Sequence, residues 1–89
     1  MDSFNDMMGG IVKEGDYVAT VYDDYDHLYI AQVTGFTPKF VKLHLLNVPY
    51  DWNDKDKRRE PESKRFIKVS EEQVTMYMLK YQNKDWPLL

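Results

Sequence analysis

Gly15-Asp16-Tyr17-Val18-Ala19-Thr20-Val21-Tyr22, then an acidic turn, then Leu28-Tyr29-Ile30-Ala31-Gln32-Val33, decide how this chain is organised. β-branched and aromatic residues fill the first run, from Tyr17 to Tyr22, as a strand requires. Gly15 sits in a polar approach, Lys13 to Asp16, where a turn needs a permissive residue. The second run extends from Leu28 to Thr34, and its odd positions Tyr29, Ala31 and Val33 share one face. Gly35 then breaks or kinks it. Two strands joined by a short polar loop follow, with Tyr22 and Tyr29 at the edges of that loop.

Outward from this pair the same period continues. After the turn at Thr37-Pro38-Lys39, Val41, Leu43 and Leu45 alternate with Lys42 and His44 in a half-buried third strand. From Asn47 to Ser63 the alternation stops. Pro49, Asp51, Asn53 and Pro61 mark an inserted loop over 47–63, and a loop of that length is ordinarily functional or disordered. It carries Tyr50 and Trp52. A fourth strand is expected from Arg65 to Val69, with Ile67 and Val69 facing the core. Ser70-Glu71-Glu72-Gln73 matches a capping box. Either a helix runs from 71 to 81, or one helical turn leads into a closing strand from Thr75 to Lys80. The second keeps the architecture regular and is the expected one.

Residues 1–12 form an N-terminal tail in this reading. MDSFNDMMGG has no period and ends in a glycine pair, with docking of Phe4 and Met7 as the alternative. The domain then spans 13–81, and 82–89 is a C-terminal tail. The expected class is mainly β: a small five-stranded barrel, with a long loop before strand four and a short helical turn before the last strand.

Composition narrows the function. A chain of 89 residues holds one domain with a thin core. It contains no cysteine, which excludes a disulfide framework and a thiolate zinc site. No apolar run approaches the ~20 residues of a membrane span. The expected protein is soluble and intracellular, cytoplasmic or nuclear. His27 and His44 are too few for a metal site, and no nucleophile, base pair or cofactor motif is present. A non-enzyme without cofactors is expected. The net charge of −3 disfavours general binding to nucleic acid. Residues 54–68, however, hold seven basic residues against four acidic ones.

GDYVATVY, the acidic loop DDYDH and LYIAQVTGF together resemble the opening of a Tudor domain. Val41-Lys42-Leu43-His44 is similar to the third strand of that family. Phe66 to Val74 looks like its fourth strand and following helical turn. The resemblance covers roughly 14–80 and implies an SH3-like barrel that reads methylated lysine or arginine in a chromatin- or RNA-associated setting. Such recognition uses an aromatic cage, because a poorly hydrated cation is attracted to ring faces. Tyr22 and Tyr29 match two cage positions. Where the third strand should supply an aromatic this chain has His44, and Tyr50, Trp52 and Asn53 of the insertion stand in for the rest. Asp23, Asp24 and Asp26 would attract a cationic ligand.

The primary expectation is therefore a binding module for a protein or peptide, in its sharper form a methylated side chain, through Tyr22, Tyr29, Asp24, Asp26, His44, Tyr50 and Trp52. The alternative is association with nucleic acid through the basic loop 55–68, chiefly Lys55, Lys57, Arg58 and Arg59, beside stacking aromatics. A viral or phage-type inhibitor acting by protein–protein contact is a third reading. A homodimer through an open sheet edge is compatible with each.

Overall fold

The structure, a computed structural model, describes residues 2–21, 28–48, 55–62 and 65–82. Seven strands and one helix follow in order: β1 (Ser3–Asn5), β2 (Ile11–Lys13), β3 (Tyr17–Val21), β4 (Leu28–Phe36), β5 (Val41–Leu45), β6 (Asp56–Arg59), β7 (Phe66–Val69) and α1 (Glu71–Gln82). Strands β1 and β2 form a hairpin. The other five form one antiparallel sheet in the order β6-β5-β4-β3-β7. Among the described residues its two edge strands do not pair with each other, so the sheet is open.

The β3–β4 pair is the centre of the sheet, as the sequence indicates. Tyr17 faces Gln32, Val18 faces Ala31 and Thr20 faces Tyr29. Alternation then sorts the side chains. Val18, Tyr29, Ala31 and Val33 enter the core with Val41, Leu43 and Leu45 from β5, joined by Val12, Val48 and Phe66. The β4–β5 register shifts between Val33 and Gly35. That irregularity inserts Thr34, changes the parity of the strand and turns Phe36 toward the core side opposite Val41.

The N-terminal segment is not a patternless tail. Strands β1 and β2 pair from Ser3↔Lys13 to Asn5↔Ile11. Gly9 closes the turn with a φ of 85°, a conformation that suits glycine. Val12 is fully buried, and the Phe4 ring meets Phe66 edge-on at 4.9 Å and Phe36 at 6.3 Å. A thin core gains area from these rings, which is the physical reason the hairpin docks. The second glycine turn, at Gly15 with φ 93°, then delivers the chain to β3.

Three further expectations are corrected. The 47–63 insertion contains a strand: Asp56–Arg59 pairs with β5 from Val41↔Arg59 to His44↔Asp56. It occupies the fourth place in the meander. The segment expected fourth, β7, is therefore fifth and lies beside β3. Its parity is also the reverse of the expectation. Phe66 is the buried residue, whereas Ile67 is exposed and Val69 half-buried. Finally, Thr75 to Lys80 is helix, not a closing strand. The place beside β3 is already taken. The capping box forms in both directions, with Gln73 N donating to Ser70 Oγ at 3.0 Å and Ser70 N donating to Gln73 Oε1 at 2.8 Å. Glu71 and Glu72 in the first turn and Lys80 in the last complement the helix dipole.

Candidate binding faces

The sheet has two faces, and the candidate site residues divide between them. Tyr29 belongs to the core side and is 0% exposed. A ring with no exposed face offers nothing to a ligand in this conformation. The parity that places Ala31 and Val33 inside places Tyr29 inside as well. His44 lies on the opposite face, beside Gln32 and across from Asp56. Its Nδ1 stands 2.9 Å from Asp56 Oδ1, a pairing of two exposed groups. The structure therefore does not bring Tyr29 and His44 to one pocket. Tyr22, Asp23, Asp24, Asp26, His27, Tyr50, Trp52 and Asn53 lie outside the described residues.

The four basic candidates also separate once they are placed. Arg59 is 8% exposed, Lys55 and Lys57 are half-buried, and Arg58 is exposed. Lys68, another cation of the run, has structural work. Its Nζ lies 3.3 Å from Asp16 Oδ2 and donates to Ile11 O at 3.1 Å. Arg65 pairs with Glu62 at 3.3 Å. The positive charge of 54–68 is thus not one uniform surface.

The face away from the core is unusually apolar at one end. Register sets Val21 directly opposite Leu28, and Ala19 between Ile30 and Ile67. Val21 is 43% exposed, Leu28 54% and Ile67 41%. Scattered surface aliphatics need no explanation, but three on adjacent strands within two rows make a continuous patch. The sequence does not mark it, because Leu28 opens a strand with no special motif and the alternation in 65–69 points Ile67 toward the core. Correct parity for β7 would have revealed it.

Asn47 is a second residue the sequence did not single out. It is buried, and its amide continues the sheet beyond the end of β5. Ile30 N donates to Asn47 Oδ1 at 2.8 Å, and Asn47 Nδ2 donates to Leu28 O at 3.1 Å. Leu46 N donates to Ile30 O at 2.8 Å in the same run. Asn47 Nδ2 also lies 3.2 Å from the Tyr77 hydroxyl, which links α1 to this end of β4. The strand that presents Leu28 is therefore held along the edge facing β5 by a side chain.

Among the described residues no group of three or more His, Cys, Asp or Glu could hold a metal ion, and no helix is long and apolar enough to cross a membrane.

These features define a small, mainly β domain: an open five-stranded antiparallel sheet with an N-terminal hairpin on its core and a C-terminal helix. The family model described as Domain of unknown function (DUF7205) matches residues 4–69. The chain belongs to that family. The match begins within β1, takes in the rest of the hairpin and the whole five-stranded sheet, and stops before α1. No curated protein and no solved structure matches the chain.

Proposed function

We propose that this chain is a non-catalytic module that binds a protein or peptide through the outer face of its sheet, at the end formed by Val21, Leu28 and Ile67. The observation that supports it is the adjacency of three exposed aliphatic side chains on β3, β4 and β7. Apolar area left in water at one spot is area that a partner can cover. In sequence, the segment joining Val21 to Leu28 carries Asp23, Asp24 and Asp26. The partner chemistry this favours is an apolar anchor flanked by lysine or arginine, with the acidic residues of that segment steering encounter.

The Tudor-like, SH3-like reading of the fold belongs to this proposal. Its support is the strand order, a four-strand meander whose first strand takes the last strand on its other side. Such an arrangement lets a small twisted sheet curl toward a barrel. Methylated lysine or arginine is the finer ligand class. With Tyr29 buried, its aromatic support reduces to Tyr22, Tyr50 and Trp52.

The test is an NMR titration of the labelled protein with basic–apolar peptides, each unmodified and lysine-methylated. Amide shifts at Val21, Leu28 and Ile67, lost in Leu28→Glu and retained in Met8→Glu on the remote hairpin turn, are expected. Shifts that grow with methylation support the finer class. Peptide shifts that leave these three residues unmoved would overturn the proposal.

A further inference from the structure

The other end of the same outer face carries a different signal. Lys42 and Arg58 are direct cross-strand neighbours on β5 and β6. Val41 and Leu43 point into the core, so Lys42 points outward, and Arg58 is exposed beside it. Like charges set directly opposite destabilise a strand pair. Among the described residues neither side chain has an ion-pair partner. The carboxylates two residues to either side of Arg58 are Asp56, which is engaged by His44, and Glu60, which forms no ion pair with Arg58.

Edge protection accounts for charge on β6, because a charged edge strand resists pairing with another chain. It does not account for Lys42, which lies on the inner strand β5. Nor does it require that the two facing charges share a sign. The two cations lie side by side on neighbouring strands. Adjacent fixed positive charges of this kind suit an extended polyanion, whose own charges repeat along its length.

We propose that Lys42 and Arg58 form a contact site for the phosphodiester backbone of a nucleic acid. The site is independent of the apolar patch, which lies at the Val21–Leu28 end of the sheet. It differs from a basic loop over 55–68, since it draws one of its two cations from β5 and leaves out the buried Arg59. Glu14 works against it. The Glu14 carboxylate and the Lys42 side chain flank Gly35, 3.7 and 3.8 Å from where a Cβ there would sit. Removing that negative charge should strengthen binding.

The experiment follows fluorescence anisotropy of a labelled oligothymidine with the full chain over stepped salt concentrations. Wild type is expected to bind weakly, with affinity falling as salt rises. Lys42→Gln with Arg58→Gln should reduce the slope of log K against log salt by about 1.4, the value for two single-strand phosphate contacts. Glu14→Gln should tighten binding ~2-fold, the scale of one exposed charge interaction. Lys13→Gln on the hairpin should change neither by a comparable amount. Circular dichroism melts of each variant separate a lost contact from a lost fold. An absence of binding at the lowest salt overturns the proposal. So does a double variant that melts like wild type and keeps the wild-type slope, or a Lys13→Gln effect equal to that of the pair.

Discussion

The buried carboxylate of Asp6 accepts the backbone N–H of Lys68 at 2.7 Å, across 62 residues of sequence. Its other oxygen accepts Met8 N at 3.0 Å and Gly10 N at 2.7 Å within its own turn. Met7 N donates to Phe66 O at 3.0 Å alongside. The hairpin turn thereby occupies outward-facing backbone groups of edge strand β7. One side chain closes its own turn and covers part of a sheet edge that would otherwise be open to another chain.

Asp6→Asn is expected to lower stability by ~2 kcal/mol, the scale of a hydrogen bond to a charged group. The amide can keep one acceptor oxygen for the turn, but its nitrogen then faces the Lys68 N–H, donor against donor. Hydrogen exchange should accelerate at Lys68 and Met7 before it does in β4. Equal protection in the variant would show that the turn holds without the carboxylate.

The same residue sets an acid dependence. Hydrogen bonding from Lys68 N–H holds the Asp6 carboxyl below its usual range despite burial, with help from Gly10, Met8 and the Lys68 charge. A depressed folded value means the unfolded chain binds the proton more readily. The contribution is complete above the ordinary carboxylate pKa and is lost as pH falls through the lower folded value. Denaturant melts of wild type and Asp6→Asn should therefore converge on acidification below about pH 4. A constant difference across that range would assign the stabilisation to another group.

Tyr29→Ala is expected to cost ~3–5 kcal/mol, as for other buried aromatics. A chain this short has little stability in reserve. The variant should lose its cooperative melt, not one ligand selectively. A well-folded Tyr29→Ala protein with a specific binding defect would restore this ring to the binding site.

Asn47→Ala should destabilise by ~2 kcal/mol, because it orphans Ile30 N–H and the Leu28 carbonyl in a part-buried setting. It also removes the Asn47–Tyr77 bond. Exchange at Ile30 is expected to rise, together with fraying of the C-terminal half of α1. Tyr77→Phe tests the second effect alone and should leave Ile30 protected.

Ser70→Ala removes one half of the reciprocal cap. The expected loss is about 1 kcal/mol, read as a lower melting temperature with reduced helicity. An unchanged far-ultraviolet spectrum would mean that packing of Val74, not the cap, starts this helix.

Local chemistry made the centre of this protein readable. Alternation at 28–34 and 41–46 marked two strands, their inward residues and the turn between them. The Ser70–Gln73 spacing marked a helix start. These signals are short-range, because a period of two and a four-residue cap need only the chain itself. Tertiary pairing decided the rest. Asp-Lys-Arg-Arg has no strand propensity and became β6 only because β5 offers it a row of hydrogen-bonding partners. Val12 joined the core, and Phe4 packed against it, only because the sheet left apolar area uncovered. Parity at β7 followed from its pairing with β3, which put Phe66 inside and Ile67 on the outer face. Lys42 and Arg58 stand 16 positions apart in sequence and face one another only once that ladder forms. The sequence by itself determined which segments alternate and where the helix begins. Only the tertiary structure decided which side chains share a face, because facing is a property of strand register between distant segments.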